Sequence, residues 1–381
     1  MWLFLALLIL VTHLLLAYQV ARGSRRIDFL RASSDQPTAQ LASVTIIAAA
    51  RNEERQLRQA VLSLLGLDYP RLEVILVNDR SDDRSGVILD QLAAEHAHLR
   101  TIHIDHLPDG WLGKNHALWA AAQQATGDWL LFTDADVIMS PTSLFQAVCY
   151  AEAHQLDHLA VTPEARMPSF LLNAFGLTFG FFFGLFTRPW KAADAASQAH
   201  IGIGAFNLVR RHVYEQAGGH RTIALRPDDD LKLGKIIKRA GFRQNLAYGT
   251  GLIQVEWYSS VKEVVRGLEK NLFAGTDYRI GLTLAGIVFN LFFCLWPWLA
   301  VLLTQGPQRL IYLAACITMV LVAADGARFH GFNRWTAIAF PVTVSLFTFI
   351  VLRTLILTLA RGGIYWRGTF YPLKQLKKNR V

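Results

Sequence analysis

Charged residues and cysteines are scarce in this chain of 381 residues. Only 18% of the residues are charged, whereas about 25% is usual in soluble domains. The first apolar run, residues 2–19, has no charge and is long enough to cross a bilayer. The three cysteines have neither paired nor metal-type spacing, which excludes a disulfide framework as an organising feature. The composition points to a membrane protein in a reducing compartment.

The apolar run at the amino end is predicted to be an uncleaved transmembrane anchor, residues 1–21. A cleaved signal peptide is the alternative, but no basic residue precedes the run and no small-residue cleavage site follows it. Arg22, Arg25 and Arg26 come directly afterwards, and the positive-inside rule then places the following residues in the cytosol. Residues 22–42 are expected to form a linker to a large soluble domain.

Three further apolar segments, about 281–304, 309–324 and 335–360, are predicted to form a membrane region over 279–360. Much of the net charge of +9 lies beside these segments and in a basic aromatic tail, 361–381. Because that charge would meet anionic lipid headgroups, it does not indicate nucleic-acid binding. One anchor and three spans would put the basic tail outside. We therefore expect a multi-pass protein of the inner membrane in which one segment is re-entrant or interfacial and the tail is cytosolic.

Between these regions, apolar β-rich runs alternate with helical patterns. Strands are expected at 43–50, 72–79, 100–105 and 128–133, with a helix after each of the first three. This order predicts an α/β domain over 43–278 with a mostly parallel, helix-covered sheet. Ligands of such sheets bind beyond the carboxyl ends of the strands. The polar residues at those ends are Asn52, Glu53, Asp79, Asp134 and Asp136.

Asp134 and Asp136 are the clearest candidates for chemistry. Short acidic pairs often cap turns or helices, but this pair ends a buried strand, LLFT, where uncompensated carboxylates are costly. Mg²⁺ typically takes one or two protein carboxylates and completes its shell with substrate phosphates and water. The pair therefore predicts a divalent metal that holds a diphosphate.

Asp79 and Lys114 are expected at the same edge of the sheet. Asp79 either caps the next helix or accepts hydrogen bonds from a nucleobase or ribose. Lys114, in the loop DGWLGK, either begins a solvated helix or helps to neutralise a diphosphate.

Two motifs farther along the chain extend this set. Gly202 and Gly204 lack the third glycine of a dinucleotide fingerprint and predict a tight strand that passes close to a ligand. The run RPDDDLKLGK places three carboxylates at a helix start, where capping is one explanation. Their mutual repulsion would raise the pKa of at least one of them, which suits a general base.

Residues 170–190, FLLNAFGLTFGFFFGLFTRPW, form an aromatic apolar segment inside the soluble region. A true membrane span here would split the domain across the bilayer, so we expect an interfacial helix that lines the site of a lipid acceptor. A buried core helix is the alternative.

Several stretches together resemble the family 2 glycosyltransferases, which have the GT-A fold. They cover most of residues 43–250 and are VTIIAAARNEE, LEVILVNDRSDDRS, GWLGKNHALWAAAQQATGDWLLFTDADV, GIGAFNLVRR and DDDLKLGKIIKRAG. The stretches GLEKNLFAG and IYWRGTFYPL add a resemblance to bacterial membrane-bound members that glycosylate apolar lipids, such as the hopanoid-associated, carotenoid and ceramide glucosyltransferase-like enzymes.

The resemblance implies an inverting, metal-dependent transfer of one sugar from a nucleotide-diphosphate sugar, most simply a UDP-sugar, to a lipid hydroxyl. Asp134 would contact the nucleoside side of the donor, and Asp136 would hold Mg²⁺ or Mn²⁺. Asp230 would be the base, with Asp229 as the other candidate. The remaining donor-binding residues would be Ala49, Arg51, Asn52, Glu53, Asp79 and Lys114.

This sequence departs from the family pattern at two places. The family's VDDGS is here Val77-Asn78-Asp79-Arg80-Ser81, so one aspartate is lost. The Gln/Arg-x-x-Arg-Trp motif of processive synthases is also missing, which argues against a polysaccharide synthase. Lys270 would replace that motif's cation near the diphosphate, unless it is a surface lysine. A nucleotide-binding transporter or scaffold is the other alternative, but the acids concentrate in the soluble region rather than in membrane segments.

Overall fold

The computed structural model describes residues 2–31 and 41–381; residues 32–40 of the expected linker lie outside the described residues. The strands are β1 (Asp28–Phe29), β2 (Val44–Ala50), β3 (Leu72–Asp79), β4 (Leu99–Ile104), β5 (Trp129–Asp134), β6 (Ile138–Met139), β7 (His158–Thr162), β8 (Glu164–Arg166), β9 (Asn207–Arg210), β10 (Gln244–Tyr248), β11 (Ile253–Glu256), β12 (Gly363–Trp366) and β13 (Thr369–Pro372).

The α-helices are α1 (Trp2–Ser24), α2 (Leu57–Leu65), α3 (Ser85–Glu95), α4 (Gly113–Ala122), α5 (Ser143–Ala153), α6 (Phe170–Thr187), α7 (Arg211–Gln216), α8 (Gly219–Thr222), α9 (Asp229–Arg239), α10 (Val261–Leu268), α11 (Leu272–Gly275), α12 (Ile280–Phe289), α13 (Trp296–Leu303), α14 (Pro307–His330), α15 (Phe340–Arg361) and α16 (Leu373–Lys378). A π-helix, Asn290–Leu295, joins α12 to α13, and 3₁₀ turns occupy Pro189–Lys191 and Arg334–Ala339.

Eight strands form one sheet in the order β1-β10-β7-β9-β5-β2-β3-β4. Every neighbouring pair is parallel except the two made by β9, which runs antiparallel to β5 and β7. The predicted α/β class with a mostly parallel sheet is therefore confirmed. The four strands expected from the sequence begin and end within one residue of β2, β3, β4 and β5.

The sheet is buried on both faces, which explains its continuous apolar runs. All seven residues of β2 are buried, and Trp129 at the start of β5 is fully buried. One face packs against α2 and α5 through a cluster that contains Leu57 and Leu144. The opposite face packs against α4 and α9 through a cluster that contains Leu118 and Ile237. These two helices bring their amino ends, and the charged residues there, to the carboxyl edge of the strands.

The described chain divides into two compact units. The first comprises residues 27–31, 41–164, 189–256 and 379–381, which include the whole eight-stranded sheet. The second comprises residues 2–26, 165–188 and 257–378. The functional boundaries expected at 43 and 278 stay a prediction, but the sheet unit already begins with β1, which pairs with β10.

The second unit collects the apolar helices. In the described part of the chain, five helical segments are long and apolar enough to cross a membrane: Trp2–Ser24, Phe170–Lys191, Ile280–Leu303, Pro307–His330 and Arg334–Arg361. Within this unit α6 packs against α15, where the hydroxyl groups of Thr178 and Thr343 lie 2.5 Å apart and the rings of Phe182 and Phe347 stack at 4.8 Å.

Two sequence expectations need correction. Gly202 and Gly204 do not lie in a strand, because β9 begins only at Asn207. The short apolar segment 309–324 is the middle of a helix of 24 residues, Pro307–His330. The last apolar helix also contains Pro341, which lies in the first turn of α15, where a backbone N–H would have no partner within the helix.

Candidate active site

The carboxyl ends of β2, β3 and β5 meet at one edge of the sheet. The parallel register places Ala49 beside Asp134 and Ala50 beside Asn78. The loops that leave these strands therefore begin next to one another, as expected for the ligand edge of a parallel sheet. Ala49 is buried, and Arg51, the first residue after β2, is half-buried.

The loops after β2 and β3 are tied together by side chains that cap backbone groups. Asn52 has a positive φ of 57°. Its Oδ1 accepts from the Asp82 amide at 2.8 Å, and its own amide donates to Ser81 Oγ at 3.1 Å. The Glu53 amide donates to Ser85 Oγ at 2.9 Å. The predicted residues Asn52 and Glu53 therefore belong to a loop whose shape is fixed before any ligand binds.

Asp79 is fully buried at the end of β3, and its negative charge is paired with the next residue in the chain. Arg80 Nε and Nη2 donate to the two carboxylate oxygens of Asp79 at 2.8 and 3.0 Å. A bidentate pair of this kind is among the stronger hydrogen-bonded contacts in proteins. A nucleoside at this position would meet the Asp79–Arg80 pair rather than a free carboxylate, a partnership that the sequence reading missed.

Lys114 lies in the first turn of α4 and joins two of the predicted acids. Its Nζ lies 2.8 Å from Asp134 Oδ1 and 3.2 Å from Asp229 Oδ2. Burial alone would lower the pKa of Lys114, but the carboxylates of Asp134, Asp229 and Asp230 raise it above its ordinary value. The lysine therefore stays charged and connects the end of β5 with the start of α9.

Asp136 lies two residues past Asp134, in the turn after β5. Burial, and then the neighbouring carboxylates of Asp134 and Glu53, raise the pKa of Asp136 to about 7. In residues 2–31 and 41–381 there is no group of three or more His, Cys, Asp or Glu side chains placed to hold a metal ion. The two carboxylates nevertheless fit a hard cation that completes its shell with phosphate and water, because a positive charge would relieve the repulsion that raises this pKa.

The three aspartates before and within α9 have different partners. Asp228 accepts two bonds of 2.9 Å from the fully buried guanidinium of Arg226 and provides no side-chain cap to the helix. Asp229 faces Lys114. Asp230 Oδ2 accepts from the Gly204 amide at 2.9 Å. Capping of the helix start therefore does not fully explain the presence of any of the three aspartates. Each carboxylate has a different environment.

Asp230 has the environment of a general base. Burial, and then the negative charge of Asp229, raise the pKa of Asp230 to about 7, although Lys114 opposes the shift. The backbone of Gly202 approaches the same residue closely, since a Cβ on Gly202 would lie 1.9 Å from the carbonyl oxygen of Asp230. The Gly202-x-Gly204 segment thus passes close to the predicted base and not along a strand.

His220 lines the same recess as Lys114, Asp229 and Asp230 but is not suited to take a proton. Its Nδ1 is paired with the Tyr214 hydroxyl at 2.9 Å, and its ring packs edge-on against Phe132 at 4.7 Å. Burial, together with the charge of Lys114, lowers the pKa of His220 to about 3. The carboxylates are therefore the only strong candidates for base among the described groups of this recess.

Lys270 is the one predicted site residue outside the sheet unit. Its ammonium group lies 4.5 Å from the ring centroid of Trp366, within the second compact unit. A role for Lys270 near a diphosphate stays a prediction.

Comparisons with known proteins agree with this geometry. Residues 45–218 match the sequence profile of the family described as glycosyl transferase family 2. A 4,4'-diaponeurosporenoate glycosyltransferase of Staphylococcus haemolyticus is 23% identical over 247 residues, which are 62% of this chain and 62% of that protein. A protein of the same name from Staphylococcus aureus is 21% identical over 343 residues, which are 87% of this chain and 89% of its own length. The chain thus matches less than two thirds of the first of these relatives.

A solved structure has a similar fold. It is a mannosyltransferase of Pyrobaculum calidifontis in complex with GDP-Man and Mn²⁺, with a TM-score of 0.57 and 18% sequence identity. The superposition covers 93% of this chain and 99% of that one. The similarity confirms the expected GT-A type of fold.

Proposed function

Because the chain belongs to the family 2 glycosyltransferases, we propose that it moves one sugar from a nucleotide-diphosphate sugar to a lipid hydroxyl with inversion of configuration. The observation that carries this proposal is the convergence of Asp134, Lys114, Asp229 and Asp230 at one edge of the sheet. A UDP-sugar is the proposed donor. An apolar acceptor is supported by the two staphylococcal relatives, which are named as glycosyltransferases of 4,4'-diaponeurosporenoate, a carotenoid acid.

The proposed mechanism uses Asp230 as the base. Its carboxylate takes the proton of the acceptor hydroxyl, and that oxygen bonds to the anomeric carbon from the side opposite the diphosphate. The bond from the anomeric carbon to the diphosphate oxygen breaks with its electron pair on the diphosphate, which inverts the configuration. Lys114 stabilises the developing negative charge, and the Gly204 amide keeps Asp230 in place.

Asp134 and Asp136 are proposed to hold Mg²⁺ or Mn²⁺, with Asp134 also next to the nucleoside. A bound divalent cation would add positive charge beside the diphosphate of the donor. The Asp79–Arg80 pair and the loop of Arg51, Asn52 and Glu53 are proposed to bind the nucleoside, since they lie at the same strand ends. Ala49, which is buried opposite Asp134 in the sheet, belongs to the same proposed donor site.

Membrane attachment is proposed through the apolar helices, with the sheet unit in the cytosol. The topology supports an interfacial or re-entrant α6, because β7 before it and β9 after it pair in one sheet, with His158 opposite Val209. A single crossing by α6 would separate these paired strands. An interfacial α6 is proposed to present its phenylalanines to the headgroup region and to line the acceptor site.

The same reasoning applies to residues 257–378. Glu256 ends β11, which pairs with β6, and Asn379 is bonded to the backbone of Leu225. Both ends of this segment are therefore at the sheet unit, which supports an even number of crossings among three apolar helices. One of the three would then be re-entrant or interfacial, and the basic tail would lie on the cytosolic side.

The test is lipid glycosylation by protein purified in detergent, with labelled UDP- and GDP-sugars, lipid extract, and Mg²⁺ or Mn²⁺. We expect label in one monoglycosylated lipid product and its loss when the metal is chelated. A long carbohydrate polymer would instead support a polysaccharide synthase. Donor binding without turnover on any lipid would support a scaffold that only binds nucleotides.

The pH dependence provides a separate prediction. Because the pKa of Asp230 is raised to about 7, the base is protonated, and inactive, below that value. We expect kcat/KM to fall about tenfold per pH unit on the acid side of pH 7. The measurement is the rate of lipid glycosylation between pH 5 and 9 at subsaturating donor.

Lys114 provides the matched variants for this profile. The charge of Lys114 lowers the pKa of Asp230. Lys114→Ala is therefore expected to move the acid limb, which is the fall of kcat/KM on the acid side of the pH profile, to higher pH. It should also reduce the maximal rate above that pH. Lys114→Arg keeps the charge and should leave the limb near its original position. An unchanged limb in Lys114→Ala would contradict the assignment of that limb to Asp230.

A further inference from the structure

The loop that leads into α9 is held by side chains from distant parts of the chain. Helix α8 ends at Thr222, and the residues from Ile223 to Arg226 form no helix or strand, yet their backbone groups have partners. The buried Asn115 side chain donates from Nδ2 to the carbonyl oxygens of Ile223, Ala224 and Arg226 at 2.8, 3.2 and 2.9 Å. Asn115 follows Lys114 directly, so one turn of α4 holds both the loop and the site carboxylates.

The opposite side of this loop is held by Asn379. Its Oδ1 accepts a hydrogen bond from the Leu225 amide at 2.8 Å, while its Nδ2 donates to the Thr222 carbonyl oxygen at 2.9 Å. Only a side-chain amide both accepts and donates in this side-by-side way. Val381 packs against the cluster that contains Ile223 and Ile237. The segment Asn379–Val381 belongs to the compact sheet unit.

The consequence concerns the position of the base. Only three residues separate Leu225 from Asp229, and Arg226 binds Asp228 within the same stretch. A loop held at Thr222 and Leu225 therefore fixes where α9 begins, and with it the carboxylates of Asp229 and Asp230. Small displacements of a catalytic group lower the rate steeply, because the reaction needs a narrow range of distances.

We propose that Asn379 is a positioning residue: the Asn379–Val381 segment clamps the Thr222–Arg226 loop and so holds Asp230 in register with the acceptor. This role rests on the proposed function of Asp230. The side chain of Asn379 bonds to the backbone of Thr222 and Leu225, and it acts on Asp230 through that loop.

The test compares the full-length Asn379→Ala and Arg380→Ala variants with the wild type. Arg380 is exposed and belongs to the same segment, so it is the matched control. In Asn379→Ala we expect amide hydrogen exchange at Leu225 to be about tenfold faster, because its acceptor is lost. We expect kcat to fall about fivefold to tenfold, with the KM for the donor changed less than twofold. Arg380→Ala should match the wild type in all three.

A conservative variant separates positioning from general loss of structure. Asn379→Asp keeps an acceptor for the Leu225 amide but loses the donor to Thr222, so its kcat should lie between those of the wild type and Asn379→Ala. Exchange and kcat in Asn379→Ala equal to those in Arg380→Ala would overturn the proposal. If the wild type glycosylates no lipid, the proposed function fails, whereas exchange at Leu225 still shows whether the clamp exists.

Discussion

Replacing Asp230 with asparagine is expected to lower kcat by about 10³-fold, within the range that a lost general base commonly causes. The amide has the same size, and its oxygen can still accept from the Gly204 amide, which now bonds to Asp230 Oδ2 at 2.9 Å. The substitution leaves the proposed donor-binding residues unchanged. We therefore expect the KM for the donor to change less than threefold, as measured by initial rates over a range of donor concentrations.

Thermal stability distinguishes this loss of chemistry from a loss of fold. A buried carboxylate whose pKa is raised makes its stabilising contribution when protonated and loses it as the pH rises through that pKa. At pH 8 the charged Asp230 opposes folding, so Asp230→Asn should have a Tm equal to or above that of the wild type. A lower Tm together with weak donor binding would show that the residue is structural.

Asp229→Asn is the matched variant, since it changes the other candidate base. Asp229 faces Lys114 at 3.2 Å, and its loss removes one of the carboxylates that hold the lysine. We expect a smaller decrease in kcat than for Asp230→Asn and a larger increase in the KM for the donor, because Lys114 is proposed to face the diphosphate. The reverse ranking would make Asp229 the base.

The sequence predicted the strand ends and the acids on them because both follow from local patterns. Buried parallel strands appear in the sequence as apolar runs, and a carboxylate at the end of such a run needs a cation or hydrogen-bond donors as partners. Asp134 and Asp136 were therefore recognisable from a dozen residues. The partner of Asp134 was not, since Lys114 lies on α4 and contacts both Asp134 and Asp229, which are far apart in sequence.

The negative charges of Asp79 and Asp228 are paired with arginines, and composition alone cannot reveal such contacts. Asp79 looked available for a nucleobase, but it is bound by Arg80, whose backbone has a positive φ of 54° that folds the guanidinium back. Asp228 looked like one of three equivalent acids until its pair with the buried Arg226 distinguished it. The arginine two residues before Asp228 was a usable signal, because a buried carboxylate so near an arginine is usually paired.

The segments of the two compact units alternate along the chain, and local sequence patterns could not predict this division. Residues 165–188 lie between two strands of one sheet in sequence, yet they pack with the apolar helices of the other unit. Aromatic richness indicated an apolar surface but not which helix would cover it. The contact between Thr178 and Thr343, 165 residues apart, illustrates why: only the folded chain brings such residues together.

Gly234→Ala is expected to impair both stability and rate, because two backbone segments touch at this glycine. A Cβ on Gly234 would lie 1.8 Å from the carbonyl oxygen of Ile201 and 2.5 Å from its carbon, and neither can move as a flexible side chain would. Gln244 bonds to both segments, donating to the Gly234 carbonyl and accepting from the Ile201 amide, each at 2.8 Å. The added methyl group must therefore push α9 away from the Ile201–Gly204 segment.

That displacement acts on the base directly. Gly234 lies one turn after Asp230 on α9, and the segment being pushed carries the Gly204 amide that holds the Asp230 carboxylate. Overpacking of this kind costs about 1–3 kcal/mol or more, which lowers Tm by about 2–4 °C per kcal/mol in a unit of this size. We expect kcat to fall at least about tenfold as the base loses its alignment.

Gly281→Ala is the control, since nothing lies within 4 Å of a Cβ placed there and the residue is also helical. It should keep the wild-type Tm and rate, as followed by thermal unfolding and by lipid glycosylation. A Gly234→Ala protein with unchanged Tm and kcat would mean that α9 and the glycine segment are free to separate. In that case the Gly204 amide could not be what fixes Asp230, and the alignment of the base would depend on the loop from Thr222 to Arg226 alone.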